Sequence, residues 1–239
     1  LNLDNATGLF NTAEDRLASV SGVYPIVGLT RNDARLMAAN NGTGWRQLDF
    51  ALASAVQLLY LIEHQSFFSQ NILGAGNTNG SYLTSSSNQN DSPHTVAGAG
   101  NALGNGSTNT VTGAGVNAKP GISFMKYRGI ENFYGNCWNW VDGLNININA
   151  AGTAFYTNNR ANFVDNTSTN MTLLSSNIAT ASGFVRNINS GNLGFLPTST
   201  VGASSTTYIT DQAFLATALN RVALLGGSAN DGVNAGVFC

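Results

Sequence analysis

Few residues in this 239-residue chain have the chemistry of a nucleophile or a general base. Two cysteines and two histidines are present, so a thiol–imidazole pair would combine Cys137 or Cys239 with His64 or His94. Cys137 lies between aromatic residues, where a buried thiol is inert because burial disfavours the thiolate. The sequence therefore predicts no nucleophilic cysteine.

Acidic residues are the second source of candidate chemistry, since paired carboxylates serve as general acid and general base. Two pairs suggest themselves, Glu131 with Asp142 and Asp211 with Asp231. However, 12 acidic residues scattered among turns produce such pairs by chance, and no spacing singles one out. We therefore predict no catalytic residues, no metal ligands and no enzymatic activity.

The overall composition indicates which kinds of molecule the protein is expected to bind. Charged residues make up 9% of the chain, far below the roughly 25% of ordinary soluble domains, and Asn, Ser, Thr and Gly take their place. This composition is typical of secreted, surface or virion proteins. The net charge is −2 and the only lysines are Lys119 and Lys126, which predicts no nucleic-acid binding. No run of eighteen apolar residues occurs, so no membrane insertion is expected.

Two helices are predicted near the start of the chain. Thr30 is a good N-cap for a helix over Arg31–Ala39. Gln47–Ser66 is the stronger helix, because apolar residues recur in it at three- to four-residue spacing. Since almost none of its residues is charged, this helix is expected to lie against a sheet and to be covered on most sides.

The densest aromatic block, Tyr127–Ile148, is predicted to be the centre of the fold. Gly135-Asn136 is a turn signal because both residues tolerate positive φ, and Asp142-Gly143 is a second one. The alternating residues after each turn predict a β-hairpin with Trp138 and Trp140 on one face. Both tryptophans are expected in the core; the alternative is a stacking platform for a sugar or a base.

The rest of the chain is predicted to form short strands and long loops. Strands are expected at Val23–Val27, Ile122–Tyr127, Thr153–Tyr156 and Ala223–Gly226. Residues 1–22 form an N-terminal arm, either packed on a neighbouring subunit or a simple strand-bearing terminus. Residues 23–239 form one domain, with a Gly-, Asn- and Ser-rich insertion at about 71–120 that is too long for a simple loop.

Three blocks of sequence resemble a known fold family. The run GNCWNWVDG, residues 135–143, resembles the Gly-Asn-Val-Trp-Glu-Trp signature of the C-type-lectin-like fold in its formylglycine-generating-enzyme branch. The longer run YRGIENFYGNCWNWVDGLNI, residues 127–146, is similar to bacteriophage structural proteins and to variable proteins of diversity-generating retroelements. Residues 225–238 resemble the Gly-Gly-Ser…Asn-x-Gly…Ala-Gly-x-Phe segment of that fold, and residues 42–49 correspond to its second-helix region.

This resemblance implies an α+β, C-type-lectin-like fold with small twisted antiparallel sheets, two helices and long irregular loops. It places Trp45 in the structural core beside the two tryptophans of the central block. It also implies that Asn230, Asp231 and Asn234 lie on an exposed, variable segment as candidate ligand contacts; the alternative is a plain turn between the last strands. Cys137 and Cys239 would lie on core strands, as a disulfide or as two buried free thiols.

The resemblance further implies a bacteriophage virion surface protein, such as a fibre, tail-tip or head-decoration protein, that binds a host-surface glycan or protein. It would contact other virion proteins and form a homo-oligomer. The alternatives are a purely structural assembly protein and a formylglycine-generating-type enzyme. The reactive C-terminal cysteine pair of those enzymes has no equivalent here, and none of the 4 prolines lies in a calcium-lectin tripeptide. No cofactor is predicted, although a structural calcium stays open.

Overall fold

The computed structural model describes residues 11, 13–78, 94–108, 124–148, 152–189 and 193–239. Over these ranges the protein is α+β, with three helices and several small sheets whose strands pair antiparallel. The helices are α1 (Arg31–Ala39), α2 (Phe50–His64) and α3 (Ser69–Leu73). The strands are β1 (Gly106–Thr108), β2 (Phe124–Tyr127), β3 (Ile130–Glu131), β4 (Asn139–Ile148), β5 (Gly152–Tyr156), β6 (Thr172–Ile178), β7 (Gly183–Phe184), β8 (Asn187–Asn189), β9 (Leu196–Ser199), β10 (Gln212–Ala213) and β11 (Ala218–Leu225). None of the helices in this described part is long and apolar enough to cross a bilayer.

Four strands form the largest sheet, in the order β11-β4-β5-β6. A three-stranded sheet has the order β1-β2-β3, while β7 pairs with β10 and β8 with β9. The predicted first strand at Val23–Val27 is wrong, because these residues form an irregular segment. Pro25 has no N–H to donate to a ladder, and the segment makes single backbone bonds instead, such as the one from Ala97 N to Val23 O at 2.9 Å.

β4 runs without interruption through Asp142-Gly143, so the predicted tight turn and hairpin are wrong. Val141 and Asn145 of β4 pair with two consecutive residues of β11. Asp142, Gly143 and Leu144 therefore bulge out of the ladder between β4 and β11. Gly143 has a φ of 79°, which glycine adopts at low cost.

We expect Gly143→Ala to lower the free energy of unfolding by about 3 kcal/mol. An added Cβ would lie 2.7 Å from the carbonyl oxygen of Thr157 and 3.1 Å from the ring of Phe163. Gly129→Ala is the matched control, because its φ is 82° and no atom lies within 4 Å of the added Cβ. The control should cost about 1 kcal/mol in urea denaturation. Equal losses in the two variants would show that the bulge is not tightly packed.

α1 confirms the predicted helix and its bounds. The Thr30 hydroxyl accepts a hydrogen bond from Asp33 N at 3.1 Å, and the Asp33 carboxylate accepts one from Thr30 N at 3.2 Å. This reciprocal capping box satisfies N–H groups that the helix leaves unpaired at its start. The helix therefore begins where the local sequence dictates.

α2 begins later than predicted because Asp49 is its N-cap, with the carboxylate accepting a bond from Leu52 N at 2.9 Å. It ends where Gln65 takes a left-handed φ of 51°. One face is buried, through Phe50, Ala53, Val56 and Tyr60. The opposite face remains exposed, so the expectation that the helix is covered on most sides is wrong.

Arg31 connects α1 to the bulge in β4. Its side chain is only 1% exposed, and Nη1 donates to the carbonyl oxygens of Val141 at 2.9 Å and Leu144 at 3.1 Å. Nη2 donates to the carbonyl oxygen of Val164 at 2.7 Å, and Nε donates to Asp165 at 2.8 Å. One guanidinium group thus binds the carbonyl oxygen just before the bulge, that of Val141, and the carbonyl oxygen of its last residue, Leu144.

Arg35 lies one turn further along α1 and completes the ionic network. Its Nη2 is 2.6 Å from Oδ1 of the buried Asp142 and 2.9 Å from Oδ1 of Asp165. Partial burial acts to raise the pKa of Asp165, but hydrogen bonds from Arg35 and Arg31 outweigh it and hold that pKa below its ordinary value. The network therefore joins two arginines to two carboxylates.

The tryptophans are less buried than expected. Trp45, expected in the core, is 64% exposed in the loop between α1 and α2. Trp138 and Trp140 are half-buried: the first packs edge-on against Phe214 at 5.5 Å, and Nε1 of the second donates to Leu29 O at 3.0 Å. Tyrosines, phenylalanines and aliphatic residues form the core instead. Two clusters contain most of them, one with Tyr60, Met125, Tyr127, Tyr134 and Phe238, the other with Phe50, Val141, Leu144 and Ile148.

The two cysteines are free thiols, so the disulfide considered for Cys137 and Cys239 is not formed. Cys239 is buried and Cys137 partly so. Burial raises the pKa of each thiol, which keeps both protonated at neutral pH.

Parts of the predicted N-terminal arm and insertion, residues 1–10, 12, 79–93 and 109–123, lie outside the described residues. The described part of the arm contacts this chain itself. Leu17 N donates to Met37 O of α1 at 3.3 Å, and Gly22 N donates to Ala97 O at 2.9 Å. Residues 17–22 therefore pack on the domain, beside the loop 94–101 of the insertion.

Candidate functional site

A polar cleft of about 460 Å³ lies beside the Gly135-Asn136 turn. Its walls come from three segments, residues 19–25, 95–101 and 126–139. Hydroxyl and amide groups dominate its lining, chiefly those of Thr95, Asn101, Asn132, Asn136 and Asn139. The lining of the cleft is therefore mostly neutral and polar. Some of its groups bond to one another or to the backbone, since Asn132 Nδ2 donates to Thr95 Oγ1 at 3.1 Å and Asn139 Nδ2 donates to Phe133 O at 3.3 Å.

The Gly135-Asn136 turn takes the positive φ values expected, 71° and 66°. Asn136 Oδ1 accepts bonds from Thr95 N at 2.8 Å and from Asn77 Nδ2 at 3.0 Å. A Cβ on Gly135 would lie 2.8 Å from Asn77 O, so glycine is required by both conformation and space. The turn thus holds the loop at Thr95 against the central block and shapes one end of the cleft.

Glu131 and Lys126 are charged residues in the lining, and both are committed to the loop 94–101. The Glu131 carboxylate accepts bonds from Gly98 N at 2.7 Å and Gly100 N at 2.6 Å. Lys126 Nζ donates to Gly100 O at 3.3 Å. Each oxygen of the carboxylate accepts a backbone N–H bond, so Glu131 acts as a support for the cleft wall and is poorly placed to take a proton from a substrate.

The cysteine in the cleft does not supply a nucleophile. Burial raises the pKa of the Cys137 thiol to about 12, so the thiolate is scarce at neutral pH. His64, one of the histidines considered as its base, instead packs its ring against Tyr60 at 4.9 Å and Tyr127 at 5.9 Å. The cleft thus gains no thiol–imidazole chemistry from these residues.

The four carboxylates considered as catalytic pairs have separate partners. The Glu131 carboxylate accepts bonds from backbone N–H groups, and the Asp142 carboxylate accepts one from Arg35. The Asp211 carboxylate accepts a bond from Phe238 N, and the Asp231 carboxylate accepts one from Ser228. In the described ranges, no group of three or more His, Cys, Asp and Glu residues is arranged to hold a metal ion. Each carboxylate of the two pairs considered is therefore held by a partner of its own.

The segment with the predicted ligand contacts forms a compact turn near the chain's end. Ser228 Oγ lies 2.6 Å from Asn230 Oδ1 and 2.9 Å from Asp231 Oδ2, so its single proton can be donated to either, and a 3-10 turn follows over Gly232–Asn234. Asn230 is exposed, whereas Asp231 and Asn234 are half-buried. None of the three lines the cleft, so their role as ligand contacts stays a prediction.

The cleft itself was not predicted from the sequence. Asn132, Asn136 and Asn139 were visible as a cluster of amides, but nothing local indicates that Thr95 and Asn101 face them. The chemistry of the cleft suits a neutral polar ligand, because amide and hydroxyl groups match the donors and acceptors of such a molecule. No protein-family model matches the chain, and no curated protein matches it either.

Proposed function

We propose that this protein is a bacteriophage virion surface protein, a fibre, tail-tip or head-decoration component, whose C-type-lectin-like domain binds the host surface. The observation that carries this proposal is the neutral polar cleft, because residues 126–139 of its wall overlap the block that resembles such phage proteins. The low charge content of 9% supports it, since it is typical of virion and surface proteins.

The ligand best suited to the cleft is a neutral glycan of the host surface. Sugar hydroxyl groups are both donors and acceptors, as are the amides and hydroxyls of the cleft. The volume of about 460 Å³ lies within the usual range of ligand pockets, roughly 300–1,000 Å³. Asn230, Asp231 and Asn234 would form a second contact region under the same proposal.

We expect Asn101→Ala to weaken binding to a neutral glycan by up to about tenfold, the effect of losing one well-placed hydrogen bond to a ligand. Asn101 is an exposed residue of the lining, so the change should not affect folding. Binding of the epitope-tagged full chain to an array of immobilised neutral and acidic glycans measures the effect. Asn158→Ala, an exposed asparagine outside the lining, is the matched control and should bind like the wild type.

Equal binding by both variants would place the glycan site elsewhere, and no binding to any glycan would contradict the ligand class.

The assignment to a virion is tested by a separate experiment. Size separation of native source material, followed by mass spectrometry, should find the chain in a megadalton particle. A small free species would contradict the virion assignment.

The second candidate function is a purely structural assembly protein with no receptor. The exposed apolar face of α2 favours it, because a face of this kind is typical of a subunit contact. Substitutions in the cleft loops would then leave host binding unchanged and alter only particle assembly. A formylglycine-generating-type enzyme has less support, since both thiols are held protonated by burial.

A further inference from the structure

The outer face of α2 is an uninterrupted apolar stripe. Leu52 is 55% exposed, Leu58 52%, Leu59 40% and Ile62 66%, and the exposed Ala55 lies among them. At 100° per residue these five side chains occupy an arc of about 120°, opposite the face that packs on the core. No charged residue interrupts the helix until its last turn.

The size of the stripe matches the core of a standard protein interface. The exposed parts of the four large side chains together equal roughly two whole leucine side chains, on the order of 400 Å² of apolar surface. A stable dimer buries about 800 Å² on each partner, with an apolar centre and a polar rim. The stripe would supply that centre, and the polar residues around it would supply the rim.

Charged residues at both ends of the helix indicate how two copies would pair. Asp49 at the start is 4.0 Å from Arg160, and Glu63 at the end is 3.1 Å from Arg128. In an antiparallel pair each carboxylate would approach the other copy's arginine, and the helix dipoles would oppose each other favourably. A parallel pair would align the two helix dipoles side by side, which is unfavourable.

We propose that α2 is the contact of a twofold dimer, in which the stripes of two copies pack antiparallel. A twofold contact needs a self-complementary surface, and a single apolar stripe with an acid–base pair at each end meets that condition. The dimer goes beyond the proposed function and does not depend on what the cleft binds. Glycan binding and dimerisation are therefore lost by different substitutions.

Sedimentation velocity of the full chain over a range of concentrations tests the dimer, in reducing buffer so that the free thiols stay unlinked. The wild type is expected to sediment at twice the mass of one chain at micromolar concentrations. Ile62→Glu should shift the species to one chain, because it places a charge within the stripe. Val201→Glu is the matched control, since Val201 is 82% exposed and lies outside α2, and it should remain dimeric.

Circular dichroism during heating checks that Ile62→Glu is folded, and Leu52→Gln is the second variant if it is not. A wild type that sediments as one chain at all concentrations would overturn the proposal. A dimer that both stripe variants retain would overturn it as well, and so would a species of three or more chains. Loss of the dimer in both Ile62→Glu and Val201→Glu would show a general effect of added charge, which would also contradict the stripe as the contact.

Discussion

Arg31→Met should lower the free energy of unfolding by about 3–5 kcal/mol, the usual cost of breaking a buried ionic network. Methionine fills similar space but donates no hydrogen bonds. The carbonyl oxygens of Val141, Leu144 and Val164 would lose the guanidinium as their donor. Arg35 would still neutralise part of the acidic charge, so most of the loss should come from these unsatisfied carbonyls.

Guanidinium denaturation measures this loss, with Arg46→Met as the matched control. Arg46 is exposed, and its substitution should change stability by about 0.5 kcal/mol or less. Arg31→Lys should fall between the two, because lysine keeps the charge but lacks the planar fork of donors. If Arg31→Met cost no more than the control, the bulge in β4 would not depend on this side chain.

The contrast between α1 and the bulge shows which features the sequence could predict. The capping box of α1 lies within four consecutive residues, Thr30 to Asp33, so its start could be predicted from them. Asp142-Gly143 looks like a tight turn by the same local reasoning. In the structure the same residues form a bulge, next to which Arg31 donates to Val141 O from 110 positions away. A contact at that separation leaves no signal in the local pattern.

The burial of Trp45 and of the outer face of α2 was also predicted wrongly. The resemblance to the lectin-like fold predicted a buried Trp45, yet the core contains Tyr60, Tyr127 and Tyr134, each fully buried. α2 was correctly predicted as a helix from its spacing. Because apolar residues lie all round it, however, the spacing could not show which face meets the core and which stays exposed.

The cleft was the least predictable feature. Its three walls are segments separated by up to a hundred residues, and each is an ordinary polar stretch by itself. The Gly-Asn turn predicted in the central block is present, and Asn136 of that turn lines the cleft. The cleft, however, arises from the packing of the loop 94–101 against that block, which only tertiary structure reveals.

Stability should fall as the pH rises from about 4 to about 8, because of Asp211. This side chain is completely buried, and burial raises the pKa of its carboxyl to about 8, against the opposing effect of the bond from Phe238 N at 2.8 Å. Above about pH 4 the unfolded chain releases this proton while the folded chain keeps it. The free energy of unfolding therefore falls by up to about 1.4 kcal/mol per pH unit. The stabilising contribution of the protonated Asp211 carboxyl is lost as the pH rises through the folded-state pKa.

Asp211→Asn should remove most of this slope, because the amide is neutral at every pH in the range. Relative to the wild type, the variant should gain several kcal/mol in free energy of unfolding between pH 4 and pH 8. Urea denaturation at half-unit pH steps measures both curves, and Glu14→Gln, the same change at an exposed site, should leave the wild-type curve in place. A Cβ on Gly236 would lie 2.2 Å from the Asp211 carboxyl, so this group is tightly enclosed by the chain. A constant difference between variant and wild type across the range would mean that water reaches the carboxyl and that it is ionised in the folded protein.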